Sequence, residues 1–182
     1  MPFLILHGWQ GNPPSHWQSW LASRLAEDGA EVTYPDLPAP DWPTLGAWLE
    51  AIADGLRRAG DDATVICHSL ACIAWLQLVA RVPPEAARRA LLVAPPADLE
   101  ELPPGFFPLP EGLRLADAEI WCSDNDPYCP VGAASLYGER FGRPTRVFAG
   151  AGHLNGEAGY GPWPAVLAWC QSPSGAKNGV ET

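Results

Sequence analysis

Three side chains in this sequence have the types needed to attack a carbonyl and move the proton that the attack releases: Ser69, an aspartate at 124 or 126, and His153. A serine hydroxyl is a weak nucleophile until a histidine within hydrogen-bond reach takes its proton. A carboxylate then fixes the imidazole tautomer and stabilises the imidazolium. Ser69 lies in Val65-Ile66-Cys67-His68-Ser69-Leu70-Ala71-Cys72-Ile73-Ala74, where a β-branched run meets the serine and turns directly into a helical pattern. Strand, sharp turn and helix in that order lift a hydroxyl clear of a sheet. The chemistry also needs two backbone N–H donors aimed at the developing oxyanion. Leu70, the residue after the serine, offers one; Trp9 offers the other, with Gln10 as its alternative.

Each residue also has a plainer reading. Ser69 would serve as a helix N-cap, Asp126 would start the turn at Pro127, and His153 would be a loop residue among Gly150, Gly152 and Gly156. The order serine, acid, histidine favours chemistry, because each residue follows a different strand. The remaining histidines read as structural: His7 orienting the oxyanion loop, His16 a loop or first-turn contact, and His68 pointing away behind the nucleophile. None is spaced with carboxylates as helical metal ligands are, so neither a metal nor another cofactor is expected.

The elements that must position these residues alternate. Phe3–Leu6 is a short apolar run suited to a strand buried on both faces. Trp17, Trp20, Leu21, Leu25 and Ala26 recur at helical spacing, with Ser15 as the predicted N-cap. Strands are predicted at 31–34, 63–67, 90–94, 118–122 and 145–149, and further helices at 45–56, 70–81, 131–140 and 162–170. Such alternation implies right-handed parallel crossovers, hence an α/β fold: three layers, doubly wound, around a mainly parallel sheet of about six strands. Ligands of such sheets bind beyond the carboxyl ends of the strands, which is where Ser69, Asp124 to Asp126 and His153 all fall. Residues 95–117 are too few for a large cap domain, and Phe106 and Phe107 on this proline-stiffened loop are candidates, with Trp9, for an apolar substrate pocket.

At 182 residues, one domain over 1–171 with a flexible tail over 172–182 is expected. Lys and Arg number 11 against 21 Asp and Glu, a formal charge of -10, which disfavours nucleic acid and anionic membranes as partners. No run approaches the roughly 20 apolar residues of a membrane span. Met1 to His7 lack the basic region of a signal peptide, so a cytoplasmic location is expected. The five cysteines, an odd number without a C-x-x-C pair, read as reduced, with Cys129 the most exposed.

Four motifs together resemble the YdeN and retinoblastoma-binding protein nine family of small serine hydrolases: His7-Gly8-Trp9 with Asn12 to Trp17, His68-Ser69-Leu70, Asp124-Asn125-Asp126-Pro127-Tyr128-Cys129-Pro130, and Gly152-His153-Leu154. They span residues 3 to about 170. The resemblance implies a minimal α/β-hydrolase fold and selects Asp126 over Asp124 as the acid. It implies a carboxylesterase acting on small, partly apolar esters through Ser69, His153 and Asp126, with thioesters and amides less favoured. One branch of the family carries a protein-binding role, so a binding module with little turnover is the alternative. The chain departs from the family at the elbow, where Cys67 and Ala71 stand in the small-residue positions of Gly-x-Ser-x-Gly.

Overall fold

The computed structural model describes residues 1–60, 62–81, 89–115, 117–130 and 132–172. Six strands, β1 (Pro2–Leu6), β2 (Glu31–Thr33), β3 (Thr64–His68), β4 (Arg89–Val93), β5 (Ala118–Ser123) and β6 (Thr145–Phe148), form one sheet in the order β2-β1-β3-β4-β5-β6. Every neighbouring pair is parallel, so the predicted architecture holds. The α-helices are α1 (Trp17–Glu27), α2 (Leu45–Ala59), α3 (Leu70–Val79) and α4 (Pro164–Gln171).

Alternation along the central strands sorts the core into two layers, because successive side chains leave a strand on opposite faces. Leu4, Leu6, Val65, Cys67, Leu92, Ile120 and Cys122 point to one face, where α2 and α3 cover them through Trp48, Ile52, Ile73 and Leu76. Phe3, Ile5, Ile66, Leu91, Val93 and Trp121 point to the other, under α1 and α4 with Trp17, Leu21, Val166 and Trp169. Helix α3 is buried at every position from Leu70 to Leu78, which explains an apolar pattern running almost all round it.

Three local expectations are corrected. Helix α1 is capped by His16 rather than Ser15: the His16 ring accepts the backbone N–H of Gln18. The helix predicted over 131–140 is a π-helix at Ala134–Glu139, whose wider turn no side-chain period announces. All five cysteines are buried thiols, Cys129 among them, and burial pushes its thiol up to about 11. The tail predicted over 172–182 lies, beyond Ser172, outside the described residues.

Candidate active site

The elbow comes from β3 running straight into α3. Ser69 sits between them at φ 55° and ψ -128°, a conformation that costs a non-glycine residue on the order of 1–3 kcal/mol. The sheet holds it there, since the Ser69 N–H donates to the Val93 carbonyl at 2.9 Å. Gly8, just after β1, must be glycine: a Cβ there would stand 2.9 Å from the Ser69 Cβ and 3.2 Å from the His68 carbonyl. That close approach brings the loop after β1 against the serine.

A continuous hydrogen-bond relay joins the three separated residues. Ser69 Oγ lies 2.8 Å from His153 Nε2, and His153 Nδ1 lies 2.9 Å from both carboxylate oxygens of Asp126. A carboxylate only accepts, so Nδ1 carries the ring proton and Nε2 turns its lone pair to the serine hydroxyl. The Asp126 side chain is 1% exposed and that of His153 9%. Asp126 Oδ1 also accepts the Tyr128 N–H at 2.9 Å, and the Tyr128 ring packs 4.6 Å from that of His153. In so dry a setting a proton moves between fixed partners with little solvent to reorganise.

Asp124 does something else. It is exposed, and its Oδ1 accepts the Gly150 N–H at 2.7 Å. Ser123 Oγ accepts from Ala151 N–H at 2.9 Å, and Asn125 Oδ1 from Gly152 N–H at 2.7 Å. Three consecutive side chains thus clamp three consecutive amides of the histidine loop. Sequence reading missed this clamp; its signal was the run Ser123-Asp124-Asn125, short polar side chains that bond backbone amides.

Of the two amides proposed after β1, Gln10 N–H is engaged by the Pro40 carbonyl at 2.9 Å. Among the described residues no carbonyl accepts the N–H of Trp9, and Leu70 N–H, at the first position of α3, is one of the orphan donors of a helix start. His7 braces this loop from behind. It donates Nδ1–H to the Gly8 carbonyl at 2.9 Å and accepts the Leu37 N–H on Nε2 at 2.8 Å, and burial holds its pKa down.

A cavity of about 1030 Å³ opens over the relay, lined by Trp9, His16, His68, Ser69, Leu102, Tyr128 and His153 with the polar loops around 10–15 and 155–161. Phe106 does not reach it: the ring is fully buried against Trp48, while Gln77 Nε2 pins its carbonyl at 2.8 Å. Phe107 is half-buried and also lies off the cavity, and Leu102 supplies the apolar contact from this loop. Periodicity has no purchase on a proline-rich loop, so the facing residue was not legible. His68, expected behind the nucleophile, lines the cavity beside His153; burial holds its pKa well below the usual imidazole value.

A family model described as serine hydrolase matches residues 3–172. The chain belongs to that family. This serine hydrolase is 31% identical over 75 residues to YdeN of Bacillus subtilis, a match covering 41% of the chain and 40% of that relative. It is 31% identical over 131 residues to a pimeloyl-[acyl-carrier protein] methyl ester esterase of Aromatoleum aromaticum, covering 68% of the chain and 50% of the relative. The aligned regions therefore span half or less of these relatives. The solved structure of the ydeN gene product from B. subtilis superposes with a TM-score of 0.76 at 21% identity, covering 92% of this chain and 95% of that one, which shows the α/β-hydrolase fold. Among the described residues no helix is long and apolar enough to cross a membrane, and no group of three His, Cys, Asp or Glu side chains is placed to hold a metal.

Proposed function

We propose that this serine hydrolase is a carboxylesterase that cleaves small, uncharged, partly apolar esters through an acyl-enzyme on Ser69. The observation that carries the reading is the relay from Ser69 Oγ through His153 to Asp126, at 2.8 and 2.9 Å, on a serine held at positive φ. In acylation the Ser69 oxygen bonds the ester carbonyl carbon as His153 Nε2 takes the hydroxyl proton. Collapse of the tetrahedral adduct breaks the carbon–alkoxy bond, and His153 returns that proton to the leaving alcohol. Water, deprotonated by the same imidazole, then bonds the acyl carbon, and the bond from that carbon to the Ser69 oxygen breaks as His153 returns the proton to Ser69, releasing the acid. Leu70 and Trp9 N–H groups serve the oxyanion, and removal of one such donor typically costs on the order of 10²–10³ in rate.

The cavity's chemistry supports an uncharged substrate. Among the described residues lining it there is no lysine or arginine, and Glu157 is the one carboxylate. A carboxylate or phosphate on the substrate would meet no cation there. The binding-module alternative rests on the protein-binding branch of the family and on Cys67 and Ala71 at the elbow, yet both residues are fully buried and Ser69 keeps its elbow conformation beside them. The test is a fluorophosphonate probe with short-chain aryl esters, comparing wild type with Ser69→Ala and His153→Ala. Labelling and turnover by wild type alone are expected; a wild type no better than the variants rejects the esterase.

A further inference from the structure

The hydrogen bonds of the relay place the two nitrogens of His153 but do not fix the plane of its ring. The imidazole donates Nδ1–H to Asp126 at 2.9 Å and accepts the Ser69 hydroxyl on Nε2 at 2.8 Å, and it can still rock about the line through those two contacts. Rocking swings the Nε2 lone pair out of line with Ser69 Oγ, and proton transfer slows when donor and acceptor lose their alignment. The clamp on the amides of 150–152 and the bond from His68 to the His153 carbonyl hold the backbone only. Control of the ring plane therefore falls to whatever packs against the ring.

Tyr128 makes the closer of the two aromatic contacts to that ring. Its centroid lies 4.6 Å from that of His153 at an interplanar angle of 56°, against 5.0 Å for His68, and tilted rings at such separations attract. The residue that carries the ring is itself held in place. Its N–H donates to Asp126 Oδ1 at 2.9 Å, its carbonyl accepts the Ala97 N–H at 2.8 Å, and Pro127 stiffens the chain just before it. One residue thus grips the acid through its amide and touches the base through its ring, which registers the imidazole against the carboxylate it must meet. Among the described residues the phenolic hydroxyl makes no hydrogen bond, so the hold on His153 is through the ring alone. We propose that Tyr128 is a positioning residue for the reaction, its ring fixing the plane of the His153 imidazole and its hydroxyl taking no part. This rests on the esterase reading above and deepens it.

The test measures kcat and KM on p-nitrophenyl butanoate, together with the rate of labelling by a fluorophosphonate, for wild type, Tyr128→Ala and Tyr128→Phe. Alanine removes the ring and keeps the backbone bonds to Asp126 and Ala97; Tyr128→Val, which also lacks the ring, replaces it if the alanine variant does not fold by circular dichroism. Loss of the ring should lower kcat and the labelling rate by about 10-fold or more while KM changes less than about 3-fold, and phenylalanine, which keeps the ring, should restore kcat to within about 3-fold of wild type. An unchanged kcat without the ring, an effect confined to KM, or a loss in Tyr128→Phe equal to that in Tyr128→Ala overturns the assignment, while a labelled wild type leaves the esterase standing. A wild type that neither labels nor turns over overturns the esterase and the inference with it.

Discussion

His68 donates its Nε2–H to the backbone carbonyl of His153 at 3.0 Å, with the two rings 5.0 Å apart. The residue before Ser69 thus holds the backbone of the proposed base, tying the end of β3 to the loop after β6, 85 positions along the chain. Loss of that bond leaves His153 on glycine-flanked backbone. His68→Phe should lower kcat by about 10-fold or more with little change in KM, and His68→Gln, which keeps a donor, should recover part of the loss. Steady-state kinetics on an aryl ester checks this; a change confined to KM would reject the positioning role.

Asp126 and Asp124 should separate cleanly. Asp126→Asn keeps the shape but presents an amide to His153 Nδ1, favouring the wrong tautomer, and should lower kcat by about 10⁴. Asp124→Asn keeps an oxygen for the Gly150 N–H, the contact the wild-type carboxylate makes at 2.7 Å, and should change kcat less than about 3-fold. Parallel kinetics on the two variants decides it, and comparable losses would mean that the clamp, not the acid, limits the reaction.

The sheet was legible because it rests on a local rule, whereas the choice of Asp126 over Asp124 came from the family resemblance. Apolar runs such as Phe3–Leu6 and 90–94 have few places to go except a doubly covered strand, and residues following parallel strands collect on one edge. What escaped reading depends on contacts between distant segments. Nothing near His16 in the chain shows that its ring faces His68 and the cavity, and nothing near Phe106 shows that it turns inward to Trp48. The amides of 150–152 find their acceptors at 123–125 only once β5 and β6 pair.

The unusual elbow should prove a matter of packing rather than of chemistry. Cys67 pairs in register with Leu6 and Leu92 and points into the α2 and α3 layer, and Ala71 is buried in α3. Cys67→Gly would empty a packed position and loosen a strand, at roughly 2 kcal/mol. Ala71→Gly would cost about 1 kcal/mol in helix propensity. Restoring Gly-x-Ser-x-Gly should therefore lower the melting temperature and raise kcat/KM by no more than about 2-fold. Thermal unfolding with ester kinetics on the double variant checks it; a large gain in rate would show that Cys67 and Ala71 strain the elbow.

Acid should destabilise the fold well above the pH at which carboxylates titrate. His7, His16 and His68 are all buried with pKa values lowered chiefly by desolvation, that of His16 to about 4. A folded pKa below the unfolded value of about 6.5 means that the unfolded chain binds more protons between those limits, so stability rises with pH there. It is fully present above about pH 6.5 and is lost as pH falls toward 4, by on the order of 3 kcal/mol from His16 alone. Urea unfolding at pH 7.5 and 5.0 should show a lower midpoint at the lower pH with an unchanged slope. His16→Asn, which cannot be protonated at that position, should lose part of that difference. Equal midpoints for the wild type at the two pH values would mean that these histidines accept protons in the folded state.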